Sequence, residues 1–183
     1  MIASNGRGGH APPHFFPKSS PDFCRLLNRT VRYFDGIEVG ERSDSPGVTL
    51  TESMILDFAF RYDPQPFHID KTYAENGPYE GLIASGLHTL VLAHRMMLDG
   101  QIIPESSLGA SGMDELRWLK PVRPGDTLKV SSEVLEKRPS KSRQDRGKLR
   151  MLLEVKNQHQ ALVMTFTVAY MVARRPAGES SER

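Results

Sequence analysis

From Val48 onward the apolar and polar positions fall into periods that assign elements. Ile55, Phe58 and Ala59 recur at helical spacing behind Thr51, whose hydroxyl can cap a first turn, and this predicts a helix from Glu52 to about Arg61. Asp63, Pro64 and Pro66 end it, because proline lacks an amide hydrogen and restricts the residue before it. A loop then carries Gln65, Phe67, His68 and Asp70. A second helix is expected from near Gly86 to Leu98, stopping before Gly100. Leu87, Leu90, Val91, Leu92, Ala93, Met96, Met97 and Leu98 leave it almost no polar face, so it belongs in a core.

Beyond it the period changes to two. Met113 to Leu119 reads as a strand, followed by a turn over Pro121 to Asp126. Leu128, Val130, Ser132 and Val134 alternate with polar positions, as do Leu149, Met151, Leu153 and Val155. Asn157 to Gln160 reads as a turn, and Leu162, Met164, Phe166, Val168, Tyr170 and Val172 share one face of a final strand. Strands joined by short polar turns pair antiparallel. The predicted class is α+β, one domain in which an antiparallel sheet wraps a central buried helix.

Composition changes this picture little. The 183 residues suggest one domain with some overhang, and 24 Lys and Arg against 22 Asp and Glu leave a formal charge of +2. That balance argues against a dedicated nucleic-acid partner. No apolar run reaches eighteen residues, which argues against a membrane-spanning helix. The single Cys24 excludes an internal disulfide framework and makes a reducing cytoplasm the expected compartment. Residues 1–30 are rich in Gly, Ser, Pro and Asn, and residues 176–183 are polar, so both are expected as loose extensions of a domain spanning 31–175.

The stretch Tyr62-Asp63-Pro64-Gln65-Pro66-Phe67-His68-Ile69-Asp70 carries the most chemistry. An acid and an imidazole five residues apart across two prolines can project into one cavity, bind one water from two sides and move its protons. Gln65 between them is suited to holding a substrate amide or carbonyl. A polar turn that merely ends the helix fits the same residues equally well. Downstream, Ala84-Ser85-Gly86 leads into the second helix, where free amide hydrogens can form an oxyanion hole; close packing of small residues accounts for them just as well. His68 and Asp70 form an H-x-D pair that His88, His94 or His159 would have to complete as an iron site. His88 and His94 lie about 120° apart around a helix, so no metal is assigned, and both read as core or interface histidines. Ser85 lacks the G-x-S-x-G surroundings of a nucleophile elbow, and no phosphate-binding glycine motif is present. Lys137 to Arg150 holds seven basic residues and one acid in a hairpin, either a solvated turn or a phosphate site built on Lys141, Arg143 and Arg146.

In this order the motifs resemble the MaoC-like (R)-specific enoyl-CoA hydratases and dehydratases of the hot-dog fold. The resemblance runs from about Tyr33 to Arg175, through Tyr33-Phe34-Asp35, the Asp63–His68 loop, Gly81 to Thr89, and Leu116 to Asp126. It implies that Asp63 and His68 are the catalytic acid/base pair and that the Gly86 amide faces the thioester oxygen. It also implies that Gln65 replaces the usual Asn, with Gln65, Phe67 and Ser85 contacting substrate. A serine that supports the aspartate in some members falls near Val91, so that role is not carried over. The implied substrate is an acyl-CoA or acyl-carrier thioester, with coenzyme A only as part of the substrate and no further cofactor. The implied assembly is a homodimer or a multiple of one. A hot-dog thioesterase and a non-catalytic acyl-CoA binding subunit are the alternatives, and an intact Asp63 and His68 weigh against both.

Overall fold

The computed structural model describes residues 31–177; the expectations for residues 1–30 and for most of the polar tail lie outside them. Every element below lies between Phe34 and Ala173. After a short 3-10 turn at Phe34–Gly36 come strands β1 (Arg42–Asp44) and β2 (Val48–Thr49), then helices α1 (Glu52–Tyr62), α2 (Pro66–Ile69), α3 (Lys71–Glu75) and α4 (Gly86–Asp99). Four long strands complete the unit: β3 (Ser107–Trp118), β4 (Thr127–Pro139), β5 (Arg146–Lys156) and β6 (Leu162–Ala173).

Both main helices form where capping and periodicity place them. Thr51 Oγ1 accepts the Met54 N–H at 3.3 Å, and α1 turns Ile55 and Ala59 inward with no exposed surface. The six-stranded sheet runs β1-β4-β5-β6-β3, with β2 also on β4, and all pairs are antiparallel. Leu128, Val130 and Val134 of β4, Leu149, Met151, Leu153 and Val155 of β5, and Phe166 of β6 point into the core against Ala93, Met96 and Met97 of α4. Each such side chain, fully buried, contributes roughly 1.5–3 kcal/mol. The sheet wrapped on one helix is the predicted architecture.

Four details differ from the sequence reading. The Gln65–Asp70 segment is not a plain loop: Pro66 starts the four-residue α2, and the Asp70 carboxylate caps α3 by accepting the Tyr73 N–H at 3.0 Å. Strand β3 begins six residues earlier than expected; Gly109 and Gly112 break its apolar alternation, and register shifts interrupt its pairing with β6 at three places. The basic hairpin has only residues 140–145 in its loop, because β4 and β5 extend over the rest. Finally, α4 is covered on one side only. Met96 and Met97 are buried, while Leu87, Val91 and Leu98 are about half exposed, because the sheet curls around one face and leaves the other to solvent.

Candidate active site

Four segments meet at one end of the sheet. The C-terminal end of α1 delivers Asp63, whose N–H still bonds the Ala59 carbonyl at 3.0 Å. Proline at 64 and 66 stiffens the next residues, and the α2 turn points His68 inward, where it is 4 % exposed. An extended strap, residues 82–85, crosses between this loop and the segment after β3. Ile83 N–H reaches the Phe67 carbonyl at 3.3 Å, and Ala84 N–H reaches the Val122 carbonyl at 2.8 Å. Gly81 opens the strap at φ +137°, a conformation that side-chain-bearing residues rarely adopt. The strap ends at Ser85, the residue that caps α4.

Within this frame each polar atom has a defined task. His68 Nδ1 lies 2.8 Å from the Ile83 carbonyl, which can only accept, so the proton sits on Nδ1 and the bare lone pair on Nε2. Nε2 is 3.5 Å from Asp63 Oδ2, long for a direct hydrogen bond and close enough for both atoms to touch one water. Gln65 Nε2–H donates to Asp63 Oδ1 at 2.8 Å, and Ser85 Oγ–H donates to Oδ2 at 2.6 Å. Burial pushes the Asp63 carboxyl up, but the hydrogen bonds from Ser85 and Gln65, with a smaller contribution from the neighbouring His68, outweigh it and hold the group below the ordinary aspartate value. Asp63 is therefore an anion at neutral pH.

The groups line a cavity of about 610 Å³ whose walls include Phe67, Tyr79, Ile83, Ala84, Gly86, Trp118, Leu119, Lys120 and Val122. Gly86 is the first residue of α4, where the backbone N–H has no acceptor within the helix and the dipole is positive. The Trp118 indole lies over it, donating Nε1–H to the Gly86 carbonyl at 2.9 Å. A Cβ at this position would stand 2.7 Å from the indole ring, so glycine is what lets the helix start pass beneath the tryptophan.

Asp63, His68, Gly86, Gln65 and Phe67 are thus brought to one cavity, and Ser85 reaches it through Asp63. Gln65 spends its amide donor on Asp63, leaving its carbonyl oxygen as the group it can offer a ligand. Lys141, Arg143 and Arg146 are elsewhere. On β6, Met164 is the partner of Trp118 and Ala173 the partner of Arg146, so roughly 30 Å of strand separates the hairpin from the cavity within one chain. Arg143 and Arg146 both pair with Asp145, at 3.0 and 2.9 Å. His94 is exposed, whereas His88 is buried and stacks on Phe58 at 4.6 Å, with its Nδ1 unpartnered among the described residues. Among the described residues no group of three His, Cys, Asp or Glu side chains stands together as a metal site, and no helix is long and apolar enough to cross a membrane.

Sequence reasoning missed the part of Ser85 in holding Asp63, and the Trp118 lid. The tryptophan stands within the Leu116–Asp126 motif, but nothing in its neighbours points to Gly86, thirty-two positions earlier.

Comparison with known proteins gives a consistent result. The MaoC-like domain model matches residues 36–156. A crystal structure of the MaoC-like dehydratase from Rhodospirillum rubrum superposes with a TM-score of 0.74 at 36% identity, covering 79% of this chain and 99% of the other. The (R)-specific enoyl-CoA hydratase of the same organism is 30% identical over 117 residues, 61% of this chain and 75% of that protein. The unliganded R-hydratase of Pseudomonas aeruginosa matches at 25% identity with a TM-score of 0.65, over 84% of this chain and 96% of that one. With its sheet curled around α4 in the hot-dog manner, the chain belongs to the MaoC-like dehydratase domain family.

Proposed function

We propose that the protein is an acyl dehydratase of the (R)-specific enoyl-CoA hydratase type, adding water reversibly to a trans-2-enoyl thioester. The observation that carries the reading is the convergence of an anionic carboxylate, a tautomer-fixed imidazole and a helix-start amide on one mostly apolar cavity. The thioester carbonyl oxygen accepts from the Gly86 N–H. Water held between Asp63 Oδ2 and His68 Nε2 gives its oxygen to the β-carbon and a proton to the pair. The electrons of the double bond move to the thioester as an enolate, stabilised by the Gly86 amide. The pair then returns a proton to the α-carbon, so that H and OH are added and both side chains end as they began. Dehydration runs the same steps backwards. Positioned proton transfer of this kind contributes typically about 10²–10⁴-fold. The scheme uses no metal or redox group, and coenzyme A, or an acyl carrier, enters only with the substrate. A second copy of the chain would cover Leu87, Val91 and Leu98 of α4, giving a homodimer.

A thioesterase would use the same carboxylate to direct water at the carbonyl carbon instead, and one assay separates the two. Purified protein is mixed with trans-2-enoyl-CoA thioesters of several lengths, and the conjugated double bond and free thiol are followed together. The hydratase reading requires loss of conjugation without thiol. Thiol released in step would make the protein a hydrolase, and silence in both channels would make it a binding subunit.

A further inference from the structure

Ser85 has no exposed surface, and its hydroxyl has two neighbours of opposite kind. On one side its oxygen accepts the Leu87 N–H at 3.1 Å, the usual task of a helix-capping serine. On the other its single proton is given to Asp63 Oδ2 at 2.6 Å, twenty-two residues away in sequence. A hydroxyl has one proton, so the Asp63 bond requires that oxygen to be an acceptor, as it is in a carboxylate. Gln65 imposes the same condition on Oδ1 from the opposite side. The other titratable groups on the cavity wall are His68, Tyr79 and Lys120; His68 carries its proton on Nδ1 and presents a bare Nε2 to the same carboxylate.

We propose that Ser85 is a positioning residue for Asp63: it couples the carboxylate to the first turn of α4 and holds it as an anion, so that His68 is the member of the pair that carries the proton. This inference rests on the hydratase reading and deepens it. His68 Nε2 takes the proton of the attacking water, Asp63 stabilises the imidazolium that forms, and the same Nε2–H then passes its proton to the α-carbon. The water oxygen bonds to the β-carbon, the enolate collapses, and Asp63 keeps its charge throughout. One helix start thereby serves both ends of the reaction, the Gly86 amide at the thioester oxygen and Ser85, through Asp63, at the water.

The test uses the full chain and two variants. S85G retains a residue that helix starts accept, while S85A removes the hydroxyl in a second way; thermal unfolding establishes that both fold. Carboxyl-¹³C aspartate labelling, assigned with D63N, gives the Asp63 titration midpoint directly. In the variants the midpoint is expected to rise by roughly one pH unit. At neutral pH kcat should fall about tenfold, with KM within twofold of wild type. A midpoint that stays in place, or a loss carried by KM alone, overturns the assignment. The titration reads the bond without turnover, so an unmoved midpoint in an enzyme whose wild type hydrates normally counts against Ser85 alone, not against the hydratase reading.

Discussion

Two polar regions stand out in this sequence, the Asp63–His68 loop and the basic segment from Lys137 to Arg150, and the fold treats them in opposite ways. The first is drawn inward. His68 is almost fully buried, both Asp63 oxygens accept hydrogen bonds, and a cavity opens beside them. The second stays outside and compensates itself. Arg143 and Arg146 share Asp145, Arg138 pairs with Glu136, Lys137 lies 3.6 Å from Glu38, and Arg150 approaches both Glu115 and Glu136. Charge density in a sequence window is therefore a poor guide to a site, because Asp145 within the segment and Glu136, Glu38 and Glu115 beside it compensate the cations. Charge held between prolines next to a helix end is a better one, since the backbone itself fixes the direction of the side chains.

The largest expected effect follows from the shared water. D63N keeps the shape of the group and removes its charge, and kcat for enoyl-CoA hydration should fall by about 10³-fold or more, with H68A falling comparably. The double variant should lose far less than the product of the two, as measured by steady-state kinetics on all three proteins. Independent, multiplicative losses would mean that the two side chains serve different steps. H68A also strands the Ile83 carbonyl, so its unfolding free energy should drop by about 1–3 kcal/mol, whereas D63N should unfold within about 1 kcal/mol of wild type.

A pair of glycines sharpens the contrast between function and packing. An added Cβ at Gly86 meets the Trp118 ring, while one at Gly147 meets the buried ring of Phe34 on the far side of the core. G86A should lower kcat/KM by roughly 10–100-fold by displacing the helix-start amide, and pairing it with W118A should recover part of that loss. G147A should instead cost about 1–3 kcal/mol in denaturant unfolding and leave kcat per folded molecule unchanged.

These contrasts also show how far the sequence could be read. Helices α1 and α4 and strands β4 to β6 were legible because their periods are long and their ends carry Thr51, Gly100 and the Asn157–Gln160 turn. The small helices α2 and α3 were not, since four or five residues show no period, although Pro66 and Asp70 mark their starts. Which face of α4 would be left bare was illegible, because Leu87 and Leu90 look alike in sequence and only the curl of the sheet separates them. Local spacing marked Asp63 and His68 only as side chains able to share a cavity, and it was the family resemblance that implied an acid/base pair. The part of Ser85 was not legible, because small residues before a helix serve packing and capping equally, and its partner Asp63 is set by tertiary structure.

His88 and His68 form a smaller comparison. Burial holds the His88 imidazole below its ordinary value of 6.5. The unfolded chain therefore binds a proton more readily than the folded one. Stability is fully present above pH about 6.5 and falls as the pH drops through that value, by at most about 1.4 kcal/mol per pH unit. H88L, which also removes the unpartnered Nδ1, should flatten the dependence of unfolding free energy between pH 6.5 and 5. A wild type and H88L with parallel pH profiles would show that the buried ring is not what titrates.

The smallest effect is expected at the hairpin. Neutralising Lys141, Arg143 and Arg146 removes exposed, solvent-screened charges, two of them paired with Asp145, and should leave KM for a CoA thioester within roughly twofold. A rise in KM for the CoA thioester, with none for a pantetheine thioester lacking the nucleotide, would instead give the hairpin the phosphates and narrow the distinction between the two regions.

A crystal structure of D63N with a bound (3R)-hydroxyacyl-CoA tests the account most directly, because it places the hydroxyl and the thioester against their partners at once. The predicted complex has the 3-hydroxyl within hydrogen-bond distance of residue 63 and His68 Nε2, the thioester oxygen on the Gly86 N–H, and the acyl chain in the cavity beneath Trp118. A thioester whose hydroxyl lies away from His68, or whose carbonyl oxygen finds a partner other than Gly86, would contradict it.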